Sequence, residues 1–413
     1  MSVSNDQLRQ LLALSRTLAV TLERSSILPE AARIVCELLG CERSSVFFHD
    51  PQKDQLWTEV AIGAEPIFLP RGAGLAGHVF ETGQPLLTPD AYADPRFNRA
   101  TDTQTQFRTR DILTVPMFDL GHAPVGVIQA LNRRVGTFSQ TDLELLQLVA
   151  DQAGVAVQRH RLHQQLVATV KLRREMELAA IVQGELLPKE VPPVASLDVA
   201  GWSVPASITG GDCYDLWKLS DGRMAMLVAD AAGHGMAPAM VVAQVRSLVR
   251  ALVEPGVSPA QVLNRVNARL AEDLSPQRFV TAVLAYLSSD GMIEMASAGH
   301  GPLLFSPNAD APLQEMIASG LPLVIDPTDS VEPIPPLQLA PGGQLVLLSD
   351  GIFEAPSRTG ELLGVDRLRA ALRSQAGQPA SQQIEHLRLT VRTWTGGGEL
   401  KDDQTIVIAR RLH

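Results

Sequence analysis

Apolar residues near the start of the chain recur at helical steps: Leu8, Leu11, Leu12, Leu18 and Leu22. This spacing predicts an N-terminal helix over residues 1–21. A second helix is expected from about Pro29, with Ala32, Val35, Leu38 and Leu39 on its apolar face. The period then changes. Ser45-Val46-Phe47-Phe48 predicts a strand, residues 50–54 its turn, and Leu56–Ala61 the return strand. Pro85–Thr88, Ile112–Phe118 and Val125–Leu131 predict further strands. Ser139 reads as a helix N-cap, with Asp142 at the third helical position completing a capping-box-like pair. Together these predict an α+β domain of roughly 150 residues.

From Asp142 to Leu187 the chain holds no proline, and only Gly154 and Gly184 interrupt it. That predicts a helix far longer than the usual three turns. Leu172, Met176, Ala179, Gln183 and Leu186 have the narrow spacing of a coiled-coil seam, so residues 158–188 read as a helical connector that forms a homodimer. The alternative is two ordinary helices broken near Gly154. Pro188, Pro192 and Pro193 end the pattern. Beyond them the chain reads as strands, at Ala225–Ala229, Val280–Leu287, Leu303–Phe305, Gln344–Leu348 and Thr405–Ala409, with two helical regions at Ala237–Leu252 and Pro259–Asp273.

Composition narrows the function. Four hundred and thirteen residues suggest two or three domains, and 45% hydrophobic with 19% charged residues excludes global disorder. A net charge of −10 and 4% aromatic residues argue against a nucleic-acid partner. Three separated cysteines, Cys36, Cys41 and Cys213, make no CxxC and no disulfide framework, which fits a reducing cytoplasmic setting. The first residues lack a signal-peptide pattern, and no apolar run is long enough to span a bilayer, so no membrane association is expected.

The chemistry concentrates in acidic residues beside glycines. Gly210-Gly211-Asp212-Cys213-Tyr214-Asp215 follows a turn. Leu227-Val228-Ala229-Asp230-Ala231-Ala232-Gly233-His234-Gly235 leaves a strand, and so does Leu347-Leu348-Ser349-Asp350-Gly351. Lys401-Asp402-Asp403-Gln404-Thr405 leads into the last strand. Carboxylates at strand ends converge readily, and Mg²⁺ and Mn²⁺ prefer such oxygen ligands. Singly each motif is weak, since Asp-Gly is usually a turn.

Taken in order, and with Ile181–Pro188, Ala298-Gly299-His300-Gly301-Pro302 and Phe353-Glu354-Ala355, the set resembles the PPM (metal-dependent) serine/threonine phosphatases, in their SpoIIE/RsbU-like branch. The resemblance covers about Leu172–Arg411. It implies an α-β-β-α sandwich over residues 189–413 and two Mn²⁺ or Mg²⁺ ions. Carried over by position, Asp212 and Asp230 are the catalytic aspartates shared by both ions. The Ala231 carbonyl is a further ligand, and Asp350 and Asp402 complete one shell. Asp403 does not match the family's ligand position. Ala229 and Ala232 depart from the branch's usual Gly and Ser without removing a ligating side chain. The resemblance further implies a phosphorylated protein substrate, a STAS-type anti-anti-sigma factor. His234 and His300 stand in Gly-His-Gly segments and their roles stay open.

Residues 22–157 are similar to a GAF domain, an antiparallel sheet with helices, on the wording of Asp90–Asn98, Phe107–Met117 and Val125–Asn132. Asn132, Arg133, Phe138 and Asp142 match the signature of the cyclic-nucleotide-binding type, with Arg133 for Lys and Leu143 departing from Glu. That resemblance implies a cyclic nucleotide as small-molecule ligand. The alternative is that these residues only pin the last strand to the following helix. Two other functions stand beside the phosphatase: a scaffold that docks phosphoproteins without turnover, and a nucleotide sensor whose output is dimerisation.

Overall fold

The computed structural model describes residues 24–51, 53–58 and 67–412, together with 9, 12 and 13. The helix expected over 1–21 lies outside the described residues apart from those three positions, and so do residues 59–61 of the expected return strand. The chain divides into two compact units, one ending at Val170 and one beginning at Lys171.

The first unit holds one antiparallel sheet of six strands: β1 (Cys41–Asp50), β2 (Gln55–Thr58), β3 (Ile67–Pro70), β4 (Leu86–Thr88), β5 (Ile112–Phe118) and β6 (Pro124–Arg133), in the order β3-β2-β1-β6-β5-β4. Alternation along β1 decides its packing. Val46 and Phe48 face helix Arg24–Leu39 and the start of a long helix, burying Val35, Leu38, Leu145 and Val149. Phe47 faces the other way, onto Val79 and Phe80 of helix Gly74–Thr82. The first helix starts at Arg24, upstream of the expected Pro29.

The long helix is continuous over 47 residues, Gln140–Leu186. Its capping box forms: the Asp142 carboxylate accepts from the Ser139 amide at 2.7 Å, and Ser139 Oγ accepts from the Asp142 amide at 3.3 Å. Gly154 does not break it. A Cβ there would stand 2.0 Å from the Phe118 carbonyl oxygen, so the glycine marks a close approach of helix to sheet. Buried residues on this helix end at Val157, and Leu162, Leu166, Val170, Leu178 and Ile181 are exposed.

The second unit is a sandwich of two antiparallel five-stranded sheets. One runs β14 (Ile334–Gln338), β11 (Met292–Ala298), β10 (Val280–Leu287), β9 (Met224–Ala231), β8 (Asp212–Lys218). The other runs β13 (Gln314–Met316), β12 (Leu303–Ser306), β15 (Gln344–Leu348), β16 (Gln404–Arg411), β7 (Leu197–Val204). Strands such as Met224–Ala231 are apolar on both faces because both faces are covered. Met226, Val228, Val283, Leu345, Leu347 and Val407 interlock between the sheets. Leu227 and Ala229 face helices Met236–Leu252 and Pro259–Asp273. Val346 and Ile406 face helices Val365–Ser374 and Ala380–Thr395 on the opposite side. That last helical pair was not expected from the sequence. Its apolar stripes are narrow, Leu368 and Leu372 on one helix and Ile384, Leu387 and Val391 on the other, in otherwise polar segments.

Candidate metal centre

The inner faces of the two sheets end in polar residues at one edge of the sandwich. On β8, Tyr214 and Leu216 point between the sheets, so Asp212 does too; on β9, Val228 does, and Asp230 follows. Asp212 and Asp230 are direct cross-strand partners. Like charges placed opposite each other destabilise a sheet, so something other than strand pairing accounts for them. From the second sheet, Thr405 Oγ1 donates to Asp212 at 2.7 Å, and Ser349 reaches the same carboxylate. Asp350 opens a short helix directly after β15, and Asp402 stands two residues before β16. Gly351 lets these segments close up: a Cβ there would lie 2.0 Å from the Asp403 carbonyl oxygen.

The electrostatics are one-sided. Burial pushes the Asp212 carboxyl well above the usual range, and the Asp230 charge adds to it, against the opposing hydrogen bonds of Ser349 and Thr405. Burial raises Asp230 to about 7, reinforced by Asp350, Asp402 and Asp403. Asp350 is raised by burial and then by Asp402 and Glu354. Every charged neighbour acting on Asp230 is thus another carboxylate. The missing positive charge and the all-oxygen donors fit a hard divalent cation. Among the described residues, no three His, Cys, Asp or Glu side chains are already gathered tightly around a single point.

Asp402 and Asp403 differ in what they do. Asp403 accepts from the Ala206 amide at 2.7 Å and from the amides of Gly211 and Asp212, so its oxygens are committed to the loop before β8. Asp402 is exposed, and one of its oxygens accepts from the Asp403 amide at 2.8 Å. Ala231 is buried at the end of β9. His234 is exposed on the loop after it. His300 is buried with Nδ1 2.9 Å from Thr281 Oγ1, and burial lowers its pKa to about 4. The Cys213 thiol is buried toward the helices, and burial raises its pKa, reinforced by Asp212 and Asp215.

Three participants escaped the sequence reading. Thr405 and Ser349 stand inside the recognised motifs, but their hydroxyl contacts depend on which strands become neighbours. Gln183, assigned to a coiled-coil seam, instead exchanges two hydrogen bonds with Gly210.

In the first unit the signature residues form a compact strut. Asn132 is buried with φ +58° and accepts from the Arg110 amide at 2.7 Å. Its amide group donates to Glu42 and to the Arg108 carbonyl, both at 2.9 Å. Arg133 pairs with Asp142 and donates to the Leu39 carbonyl at 3.0 Å. Phe138 is buried in the core, and its amide meets the Asp111 carboxylate at 3.4 Å. These contacts tie the last strand to both flanking helices. Sequence spacing gave no hint of Asp111 or Glu42.

Comparison with known proteins agrees with this division. Residues 23–157 match the GAF domain family, and residues 220–412 match the family described as stage II sporulation protein E (SpoIIE). Asp230, Asp350 and Asp402 lie inside the second match and Asp212 just before it. The phosphoserine phosphatase RsbU of Bacillus subtilis is 28% identical over 259 residues, covering 62% of this chain and 76% of that protein. The dual 3',5'-cyclic-AMP and -GMP phosphodiesterase 11 of Drosophila melanogaster is 35% identical over 101 residues, 24% of this chain but 7% of that protein. The SiaA-PP2C domain of Pseudomonas aeruginosa superposes with a TM-score of 0.53 at 23% identity, covering 60% of this chain and 99% of that domain. The chain is therefore a GAF domain followed by a SpoIIE-type phosphatase domain of PP2C fold.

Proposed function

We propose that the second unit hydrolyses phosphoserine or phosphothreonine on a protein substrate with two bound Mn²⁺ or Mg²⁺ ions. The observation that carries this reading is the meeting of Asp212, Asp230, Asp350 and Asp402 at one sandwich edge, each of the first three raised by burial and by other carboxylates. Asp212 and Asp230 would hold both ions, with the Ala231 carbonyl, and Asp350 and Asp402 would complete one shell. When bound, such a pair supplies positive field for a phosphate dianion and hydroxide near neutral pH.

The remaining work belongs to the chain. Thr405 and Ser349 both hold the Asp212 carboxylate and so orient it. Asp403 fixes the loop before β8 through three amides. The buried Cys213 thiol is no nucleophile, and His300 is buried in its neutral form at pH 7. Both features support attack by water rather than by either of these side chains.

A STAS-type protein is the proposed substrate, on the resemblance to the SpoIIE/RsbU-like branch. The proposed homodimer rests on the exposed apolar residues of helix 140–186. For the GAF domain we propose a small-molecule ligand of the cyclic-nucleotide class, supported by the identity shared with the phosphodiesterase segment. The deciding assay is release of phosphate from a phosphoserine protein in Mn²⁺, Mg²⁺ or EDTA. Turnover that needs metal and disappears in Asp230→Asn is expected. Metal-independent turnover would refute the two-metal reading, and no turnover with a folded protein and both metals would refute the phosphatase and leave the docking scaffold.

A further inference from the structure

We infer that Gln183 is a positioning residue for the metal centre, its amide fixing the loop that delivers Asp212. The inference rests on the metal-dependent reading above. Gln183 Nε2 donates to the Gly210 carbonyl at 2.6 Å, and Gln183 Oε1 accepts from the Gly210 amide at 3.2 Å. One side-chain amide thus satisfies both main-chain groups of a single residue. Gly210 stands two positions before Asp212, and Gly211 separates them. Two successive glycines give that link little stiffness of its own.

The loop is held from two sides. Asp403 grips the amides of Ala206, Gly211 and Asp212, while Gln183 grips Gly210 from the last turn of helix 140–186. Between them lies a cavity of about 120 Å³ lined by Gln183, Ser203, Pro205, Gly210, Asp212 and Asp403. With the Gln183 tether cut, the glycine link has space to relax into. Asp212 would then sample several positions, and ordering it would oppose cation binding. Partners that orient a metal ligand typically contribute about 10–100-fold in affinity.

The test uses the full chain and Mn²⁺ alone. Gln183→Met keeps side-chain size and removes both hydrogen bonds. Glu185→Ala, exposed two residues further on, serves as comparator. Mn²⁺ affinity is measured by calorimetry, alongside turnover against Mn²⁺ and melting of the EDTA-treated protein. Expected is a loss in Mn²⁺ affinity of about 10-fold in Gln183→Met, none in Glu185→Ala, and recovery of turnover at saturating Mn²⁺. Unchanged affinity in Gln183→Met overturns the inference, whatever the melting temperature does. So does an equal loss in Glu185→Ala. If Gln183→Met does not fold, Gln183→Glu, which keeps the acceptor and loses the donor, carries the same criteria. Wild-type protein that neither binds Mn²⁺ nor turns over overturns both this inference and the phosphatase reading. Wild-type turnover with a Gln183 variant that binds normally overturns only this one.

Discussion

Two acids, one in each unit, show how charge separates structure from chemistry. Asp142 of the GAF domain meets Arg133 and the Ser139 cap. Asp230 of the phosphatase domain meets other carboxylates. The first is a closed account: its charge is neutralised where it stands. The second gathers acids in a half-buried place, a cost that a proton or a bound cation relieves. Strand β8 holds the same contrast within itself. Asp215, fully buried, is gripped by Arg250 at 2.7 and 2.8 Å and by Arg246 at 2.9 Å. Asp212, three residues earlier, has a threonine, a serine and other aspartates.

The comparison breaks most visibly at Asp230. Asp230→Asn is expected to lower turnover by more than about 100-fold, measured as phosphate release in saturating Mn²⁺. The same variant should stabilise the EDTA-treated protein. Burial holds the folded pKa of Asp230 at about 7, above the ordinary 3.8, so its contribution is present below pH 3.8 and lost as pH rises through 7. At pH 8 the removal of that repulsion is worth on the order of a few kcal/mol, read from urea midpoints. Wild-type and variant curves that coincide at pH 8 without metal would contradict the uncompensated charge.

Asp215→Ala should do the reverse. It strands two arginines and is expected to cost about 3–5 kcal/mol of stability in urea unfolding. His300 supplies a pH test of opposite sign to Asp230. Its folded pKa of about 4 lies below the ordinary 6.5, so stability is complete above pH 6.5 and is lost as pH falls through 4. The loss is about 3 kcal/mol, and His300→Asn should flatten that part of the profile. Smaller still, Arg133→Ala should cost about 1–2 kcal/mol in the GAF domain, leaving metal-dependent turnover by the second domain intact. The exposed helix pair Arg173–Glu177, at 3.1 Å, should be worth no more than about 0.5 kcal/mol.

Much of this was legible in the residues. Strands with strong alternation or unbroken apolar runs, such as Ile112–Phe118 and Val280–Leu287, stand where the pattern put them. The edge strand Ile334–Gln338 did not announce itself, because Pro335 and Pro336 read as a break; an edge position tolerates them. The long helix was expected, but a break at Gly154 stayed open as the alternative because a sequence does not reveal that Phe118 will press against it. At the candidate site, the order of acidic motifs drew attention to Asp212, Asp230, Asp350 and Asp402. Gln183 bonds across 27 residues, Asp215 to Arg250 across 35 and Thr405 to Asp212 across 193. No local pattern encodes such pairings.

The interlocked layer between the two sheets has one more consequence. Asp212 and Asp230 belong to one sheet, while Ser349 and Thr405 belong to the other or its margin, and no strand joins the two sets. Packed side chains such as Val228 and Leu347 therefore act as a spacer, and their bulk sets the gauge of the mouth. A shaved spacer, Val228→Ala, should be felt as weaker Mn²⁺ binding in calorimetry although it touches no ligand. The spacing of these acids and hydroxyls is a dimension held by hydrocarbon.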